Sequence, residues 1–437
     1  MALGDVFMTD TDGNIGVSQS ISTEKITGLL FDISKQARFF EEGAGLAAKD
    51  KLEGTVLEIN QMSDLKELGI TPYVGPDDTG LLFGVPYYHI EHFFKVQGAT
   101  GRLYVMFANC GTNWDAIDQM QRAAYGMINQ LGVWTEQSLW KKTDDSGGAY
   151  TLNIVNSLQP KARDLANNNS PLSILLNANT AVLETTDSTE KKIDLSKIPT
   201  CVSDARYVTV LLGQALDTTV TAMQVANKTN TTPVGNIGAA LGCLASAHVQ
   251  ESIGWVNKFN MAGCFSDVEM GFGDSTIATN KLTSSLKYSS LNKVQLDTLD
   301  DKGYVFLCKY SGLEGGVYFS KDQTCSNGDY RTIARNRTIN KSRRAVRNAL
   351  LPYVNSPLKV DPSTGFLSAA KITMFNNIVS DLLTTMQNNE EISGFSVTID
   401  PNQNVLKNDT LIIKYSLVPV GVASRIEVVE GLSLTNK

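Results

Sequence analysis

Short apolar runs of strand length alternate with helical patterns in the first part of this chain, and this alternation restricts the fold more than any other feature. Residues 55–59 form a strand-like run, followed by a short helix that starts at an N-cap, Ser63, and stops at Gly69. Residues 87–96 have the pattern of a second helix, and residues 103–107 form an apolar run of strand length. The order strand, helix, strand predicts an α/β layer.

The middle of the chain continues with both kinds of pattern. We predict an amphipathic helix over 114–131, a buried strand over 208–212, a helix of small residues over 235–255 and a further strand over 302–309. Residues 132–200 have no clear period and collect polar loops. The predicted fold class is therefore α/β (α+β), with several layers in which mixed β-sheets are flanked by helices.

The last hundred residues have the clearest pattern. Residues 368–387 place apolar side chains on one helical face, and residues 395–399 alternate as a strand does. A second strand over 411–418 ends at Pro419, and a last strand is predicted over 425–429. A strand with an open edge at this position favours pairing with another copy of the chain.

The length of 437 residues is about three times that of a typical domain, so we expect several units. The N-terminal residues are polar, with too little apolar periodicity to bury themselves, which predicts an extended arm. The expected divisions are an N-terminal arm at 1–22, an α/β subdomain at 23–131, an inserted or peripheral region at 132–200, an α/β core at 201–330 and a C-terminal domain with a terminal strand arm at 331–437.

Charge is unevenly distributed along the chain. Its formal net charge is −7, and 19% of its residues are charged, below the usual ~25%. One segment carries seven cations and no acid, which leaves −14 for the rest of the chain; these cations are Arg331, Arg335, Arg337, Lys341, Arg343, Arg344 and Arg347. This asymmetry favours a contact with another protein chain. A solvated helix face stays open, as does nucleic acid, although only Tyr330 supplies an adjacent aromatic ring.

Residues suited to catalysis or metal binding are few. His89 and His92 lie three positions apart on a predicted helix, but no third ligand can be named, so packing is the favoured interpretation. His248 stands alone without a nucleophile motif. The six cysteines are scattered without metal-ligand spacing, which indicates reduced, buried thiols. We therefore expect no catalytic residues and no metal site.

Two segments resemble ligand-binding loops only in composition. Residues 235–242 have the spacing GxxGxxxG, which lacks both the dinucleotide fingerprint and the P-loop lysine, so close helix packing is the favoured interpretation. Residues 10–14 lack the closing glutamate of a calcium loop. No cofactor is expected, and an α/β enzyme using residues 235–242 remains as an alternative. No apolar run of 18 residues indicates a membrane span, and the first residues do not have the pattern of a secretory signal.

The order of several segments resembles the sheath proteins of contractile phage tails and related contractile injection systems. A short helix ending at Gly69, a helix ending in Phe93-Phe94 and a strand of the type Leu103-Tyr104-Val105 follow one another as in that family. Residues 233–255 are similar to its small-residue helix with a later Gly-Trp, and residues 329–350 to its arginine-rich helix.

The C-terminal residues carry the most specific part of this resemblance. Residues 395–401 and 409–419 are similar to the strands of the sheath C-terminus, where Val-Pro-x-Gly is followed by a short strand of the type Ile-x-Val. The matching segments cover about half of the chain. Residues 132–200 match nothing in that pattern, which suggests an outer domain.

The resemblance implies a structural protein with no enzymatic activity. Sheath subunits stack as hexameric rings around an inner tube, and their contraction drives the tube through a target envelope. The implied partners are copies of the same chain, the inner tube protein, and baseplate and tail terminator proteins, with no nucleic acid and no membrane insertion. The implied location is a virion tail or an injection-system particle assembled in a bacterial cytoplasm. The alternative is another phage structural protein, of the baseplate or the capsid.

Two sets of residues would carry the contacts in such an assembly. Strand exchange between neighbours is assigned to residues of the two arms, namely Asp5, Val6, Phe7, Arg425, Ile426 and Val428. The seven cations between Arg331 and Arg347 are assigned to an intersubunit or tube contact.

Overall fold

The structure is a computed structural model of the chain. It describes residues 23–34, 52–72, 84–97, 101–137, 139–142, 150–178, 184–187, 190–193, 198–212, 214–215, 234–265, 271–272, 276–278, 281–283, 286–288 and 291–432. The predicted N-terminal arm, with Asp5, Val6 and Phe7, lies outside these ranges, as do residues 10–14.

Helices and strands alternate through the first three quarters of the chain. The helices are α1 (Met62–Glu67), α2 (Gly84–Gln97), α3 (Asp115–Ala123), α4 (Asn153–Asn167), α5 (Ile237–Ser246), α6 (Lys293–Asp301), α7 (Ile333–Leu350), α8 (Ala369–Asn388) and α9 (Val405–Asn408). The longer strands are β1 (Thr27–Asp32), β2 (Val56–Ile59), β3 (Leu103–Ala108), β4 (Gln130–Thr135), β7 (Ser173–Ala178), β11 (Val208–Leu212), β20 (Ile392–Thr398) and β21 (Lys414–Pro419).

Shorter strands lie at the periphery and in connecting segments. They are β5 (Trp140–Lys142), β6 (Tyr150–Leu152), β8 (Glu184–Asp187), β9 (Glu190–Ile193), β10 (Asp204–Ala205), β12 (Gln214–Ala215), β13 (Gly271–Phe272), β14 (Thr276–Ala278), β15 (Lys281–Thr283), β16 (Leu286–Lys287), β17 (Leu307–Cys308), β18 (Tyr318–Phe319) and β19 (Cys325–Ser326).

A six-stranded sheet in the order β11-β7-β4-β1-β3-β2 forms the centre of the fold. All of its pairs are parallel except β2 with β3, and Thr27 is in register with both Leu103 and Gln130. Every residue of β1 is buried: Leu29 and Phe31 belong to one core, and Leu30 belongs to the core on the opposite face. Helices cover both faces, as a mainly parallel sheet requires, and the predicted α/β layer with mixed sheets is confirmed.

Helices α2 and α5 cross one another on one face of the sheet at glycine positions. A Cβ added at Gly238 would lie 2.0 Å from the backbone oxygen of His89, and one at Gly242 would lie 2.8 Å from that of Phe93. Only a residue without a Cβ allows backbones to approach this closely. The predicted role of these glycines in helix packing is confirmed.

The C-terminal residues form a smaller unit with its own apolar clusters. Val379 and Leu383 of α8 are fully buried, and they pack with Val346 of α7 and Ile392 of β20. Strands β20 and β21 form an antiparallel pair, and α8 packs on it. The helix predicted over 368–387 and the two strands after it are confirmed.

Several element boundaries differ from those predicted. Helix α3 ends at Ala123 rather than at Leu131, because Tyr125 (φ +53°) and Gly126 (φ +74°) turn the chain in the left-handed region and lead it into β4. The N-cap of α1 is Gln61 rather than Ser63, whereas Gly69 ends that turn at φ +73° as expected.

Two further segments are shorter than their apolar patterns suggested. The small-residue helix predicted over 235–255 is limited to α5, because the backbone is extended at its C-cap, Ala247. Of the strand predicted over 302–309, only β17 forms, together with a bridge from Val305 to Leu211 at the edge of the sheet.

Residues 132–200 were expected to be inserted or peripheral, and for much of this region that prediction is wrong. Strand β4 lies between β1 and β7 in the central sheet, and Leu158 and Ala162 of α4 are fully buried in the core that covers one of its faces. Parallel strands buried on both faces have no polar alternation, so β4 and β7 show no period of two in their residues.

Residues 420–432 form no strand within the chain, although one was predicted over 425–429. Ile426, Val428 and Val429 are 81%, 83% and 98% exposed. A strand needs a hydrogen-bonded neighbour, and no other described strand lies beside this segment. The pairing of this arm with a second copy stays a prediction.

None of the described helices is both long and apolar enough to span a membrane.

Candidate functional site

The carboxyl ends of the parallel strands are where α/β proteins most often bind ligands, above all where the strand order reverses. Here β1 lies between β3 and β4, and Asp32 at its end is 1% exposed. The Asp32 carboxylate accepts hydrogen bonds from the Thr135 hydroxyl (2.7 Å), the Gln137 amide (2.6 Å), the Cys110 backbone (3.2 Å) and both the backbone and the hydroxyl of Ser34 (3.0 Å each). The chain's own donors thus fill the position that a ligand would take.

A polar cleft of about 460 Å³ lies at the opposite end of these strands, and one of about 650 Å³ lies beside the loop after β3. The Cys110 thiol lines the larger cleft, and burial, together with Asp32, raises the pKa of this thiol well above its usual value. A thiol held in the protonated form is a poor nucleophile. The Cys110 thiol is therefore not activated for covalent catalysis.

His89 and His92 are packing residues on α2. His89 accepts a hydrogen bond from the Gly238 backbone at 3.4 Å, and the ring of His92 lies 4.0 Å from that of Tyr88 and 4.9 Å from that of Phe265, centroid to centroid. Burial lowers the pKa of each histidine to about 3, so both are neutral at physiological pH. Within the described ranges no three His, Cys, Asp or Glu side chains form a metal-binding group.

The glycine segment before α5 has no room for a phosphate. Gly235 has φ +78°, and a Cβ there would meet the Asn177 side chain at 1.9 Å. Residues 237–245 are all buried, and Gly238 packs against the backbone of α2. This packing argues against the alternative of a nucleotide-binding enzyme.

The seven cations, six on α7 and Arg331 just before it, form two sets. Arg337, Lys341 and Arg344 are spaced four and three residues apart, which places them on one helical face. This face points into the chain. The prediction that all seven cations form one contact surface is wrong for these three, although their helical spacing already indicates a separate face.

Arg337 is buried and caps the C-terminus of α5. Its guanidinium donates to the backbone oxygens of Leu244 (2.8 Å), Ala247 (3.3 Å) and His248 (3.3 Å). These carbonyls form the negative end of the helix dipole, which favours a cation. Burial lowers the pKa of Arg337 to about 10, so the side chain is still charged at neutral pH. Arg337 thus stabilises the fold and is not accessible to a partner.

Two other cations are also satisfied within the chain. Lys341 pairs with Glu391, the residue that precedes β20, and Arg344 pairs with Glu24 close to the first described residue. Arg344 also donates to the backbone oxygen of Pro171 at 3.3 Å. Helix α7 therefore joins the central sheet to the C-terminal unit through ion pairs as well as apolar packing.

The remaining cations lie nearer to solvent. Arg335 donates to the backbone oxygen of Asp329 at 3.2 Å and forms no ion pair with a described residue. Arg331 and Arg347 are exposed, and Arg343 lines the 460 Å³ cleft. Of the proposed contact residues, these four can reach another molecule.

The hairpin of β20 and β21 is the second surface open to partners. It forms a two-stranded sheet to which no further described strand is added. Ile412 and Val418 are more than half exposed on it, and the exposed segment 420–432 follows directly. Unpaired strand edges of this kind accept strands from other chains.

Comparison with solved structures places this architecture in a known class. The chain matches a chain of the helical sheath of the anti-feeding prophage (AFP) in its contracted state, with 14% identity, a TM-score of 0.55 and full coverage of both chains. It also matches the contracted PVC sheath complex of an extracellular contractile injection system, with 12% identity, a TM-score of 0.56 and coverage of 99% of this chain and 98% of that one. The protein has the fold of contractile sheath proteins, and the resemblance inferred from sequence is confirmed at that level.

Sequence comparison assigns the family. The model of the DUF2586 N-terminal domain matches residues 3–323, and that of the DUF2586 C-terminal domain matches residues 329–437. The chain therefore belongs to the DUF2586 family. No curated protein matches it in sequence.

A chain in the 6-fold symmetrised AFP baseplate structure is also similar in fold to this chain, with 14% identity, a TM-score of 0.56 and coverage of 99% of this chain and 100% of that one.

Proposed function

We propose that this protein is a structural subunit of a contractile sheath. It polymerises with copies of itself as stacked hexameric rings around an inner tube, and contraction drives the tube through a target cell envelope. The observation that carries this proposal is the likeness of fold to two contracted sheaths over the whole chain. The assembled particle is a phage tail or an injection system built in a bacterial cytoplasm.

Neighbouring subunits are linked by strand addition to the β20–β21 hairpin. The hairpin supplies edges that no other described strand pairs with, and the exposed segment with Arg425, Ile426 and Val428 supplies a strand that lies beside no described strand of its own chain. Asp5, Val6 and Phe7 of the N-terminal segment supply a second such strand. Backbone hydrogen bonds give this linkage its strength, and the alternating side chains give it register.

The exposed cations of the α7 region contact the inner tube or a neighbouring subunit. Arg331 and Arg347 are the best placed, because they are exposed and have no acidic partner among the described residues. The excess negative charge of the rest of the chain supplies complementary surface on a second copy. Other partners are the inner tube protein and the baseplate and terminator proteins at the ends of the sheath.

The energy for contraction is stored in the packing of the assembly. At the carboxyl end of β1, the Asp32 carboxylate accepts hydrogen bonds from Thr135 and Gln137 of the same chain. The glycine segment before α5 packs against Asn177 and α2. Neither position offers a nucleotide site. An extended sheath is then a metastable arrangement that relaxes to better contacts.

Electron microscopy of the purified protein, with and without its tube protein, tests this proposal. Full-length protein should form striated cylinders, and protein lacking residues 425–437 or 1–20 should stay soluble without forming them. The double variant Ile426→Pro with Val428→Pro should act like the C-terminal truncation, because proline removes backbone donors from the added strand. Ile426→Val with Val428→Ile is the matched control, since it changes the same two positions and keeps their backbone donors and β-branched side chains.

The outcomes separate the parts of the proposal. Truncated chains that still form normal cylinders would show that strand addition is wrong. Arg331→Glu with Arg347→Glu should reduce cylinder formation, and wild-type assembly should weaken with added salt. A full-length protein that forms neither cylinders nor sleeves around its tube would contradict the sheath function itself.

A baseplate component is the second candidate, because the AFP baseplate structure contains a chain of similar fold. A baseplate protein would give discs or collars of one or two rings, whereas a sheath protein gives cylinders of variable length. The same micrographs therefore distinguish the two functions.

A further inference from the structure

A basic cleft of about 460 Å³ lies where α7 passes the amino-terminal ends of the parallel strands. Arg163 from the end of α4, Arg206 from the turn before β11 and Arg343 from α7 line it, and among the described residues Asp204 is the only acidic one that does so. Within the described ranges, Arg163 and Arg343 have no hydrogen-bond or ion-pair partner. This cleft, which we call the three-arginine cleft, therefore has an unbalanced positive charge.

The third arginine is held in position by aromatic rings. The guanidinium carbon of Arg206 lies 4.6 Å from the ring centre of Tyr207 and 4.3 Å from that of Tyr330. One terminal nitrogen of this guanidinium donates a hydrogen bond to the Tyr207 hydroxyl, which orients the group together with the stacking. A guanidinium has five N–H donors, so others remain for an acidic group. Asn167 and Asn169 add amide groups to the rim. The cleft is built to accept carboxylates rather than apolar side chains.

The N-terminal segment joins the described chain beside this cleft. Glu24 pairs with Arg344, the residue next to Arg343, and Arg344 also donates to the backbone oxygen of Pro171. Pro171 follows Asn169 of the rim by two positions. Residues 1–22 are thus tethered next to the three arginines.

The charge of the N-terminal segment is complementary to that of the cleft. Residues 1–22 contain Asp5, Asp10 and Asp12 and no lysine, arginine or histidine. Asp10 lies 13 positions before Thr23, and an extended chain covers about 3.3 Å per residue, so both Asp10 and Asp12 can reach the cleft. The tether also keeps these carboxylates at an effective concentration of about millimolar, so weak ion pairs are populated.

We propose that, in the unassembled subunit, the acidic N-terminal segment of the same chain binds in the three-arginine cleft through Asp10 and Asp12. This contact holds Asp5, Val6 and Phe7 away from the hairpins of other copies. Release of the segment then precedes its use as an added strand, a consequence that rests on the proposed sheath function. The contact itself does not depend on that function.

Hydrogen–deuterium exchange of the monomeric full-length chain tests this contact. At low ionic strength, backbone amides around residues 8–14 should exchange about fivefold or more slowly in the wild type than in the variant Arg163→Glu with Arg343→Glu. The variant Asp10→Lys with Asp12→Lys should lose the same protection. Combining the two pairs of substitutions should restore it, because the charges are then exchanged across the contact. Added salt should reduce protection in the wild type.

The matched control is Arg331→Glu, which changes the same charge on an exposed arginine of the basic segment outside the cleft. It should leave the exchange of residues 8–14 unchanged, and the urea midpoint should be the same for all variants. Equal exchange in wild type and cleft variant, loss of protection in the control, or failure of the charge exchange to restore it would each overturn the proposal. Protection that rises with protein concentration would assign the contact to a second copy and also overturn it. None of these outcomes requires cylinders to form, so the test is independent of the assembly experiment.

Discussion

Gly238 of α5 and His89 of α2 lie in direct backbone contact, so close that an added Cβ at position 238 would be 2.0 Å from the His89 oxygen. The same contact brings the Gly238 amide within 3.4 Å of the His89 ring. One position therefore fixes both the separation of the two helices and the environment of a buried imidazole.

Gly238→Ala should destabilise the fold by about 2–3 kcal/mol, because the methyl group meets backbone atoms that cannot move alone. Gly263→Ala is the control, since no described residue other than its chain neighbours lies within 4 Å of the Cβ position there. Urea unfolding measures both variants. Equal midpoints for wild type and Gly238→Ala would show that the two helices can separate without cost.

Arg337→Lys should lower the free energy of unfolding by about 2–4 kcal/mol. A lysine ammonium cannot reproduce the planar fork that reaches the oxygens of Leu244, Ala247 and His248 together. Arg331→Lys, at an exposed position of the same basic segment, should have no measurable effect. A stability loss shared by both variants would contradict the capping role.

Stability should fall on acidification because of His89 and His92. Each has a pKa of about 3 in the folded chain, against 6.5 as its ordinary value, so the unfolded state binds more protons below pH 6.5. The free energy of unfolding should be level above pH 6.5 and fall as the pH drops towards 3, by about 4 kcal/mol for each histidine. Thermal unfolding across this range measures the slope.

His92→Phe should flatten that acid slope, since phenylalanine keeps the contacts with Tyr88 and Phe265 but binds no proton. His248→Gln, at an exposed position, is the control and should leave the profile unchanged. An unaltered slope in His92→Phe would mean that other groups cause the acid sensitivity.

Asp32→Asn should destabilise the central sheet by about 2–4 kcal/mol, because an amide cannot accept hydrogen bonds at both atoms that now face Thr135, Gln137, Cys110 and Ser34. Asp297→Asn on the exposed face of α6 is the matched control. Denaturant midpoints that agree for the two variants would show that the Asp32 network adds nothing to stability.

Local sequence patterns determined the elements whose burial follows a simple period. The run at 208–212 matches β11 in full, and the amphipathic pattern at 368–387 matches α8 to within one residue at each end. The glycines at 238 and 242 indicated close packing because small residues at helical spacing have few other uses. In these cases short-range spacing alone carries the information.

Tertiary contacts decided the order of the strands and which of the cations are buried. Thr27 pairs with Gln130, and Arg337 binds the oxygen of Leu244, 93 positions away in sequence, so neither contact leaves a local pattern. The turn at Tyr125 and Gly126 ended a helix whose apolar spacing continued into β4. The sequence by itself determined an α/β chain with a basic segment. Only the folded chain separates the cations that stabilise it from those that are free to bind, because burial is set by residues far apart in sequence.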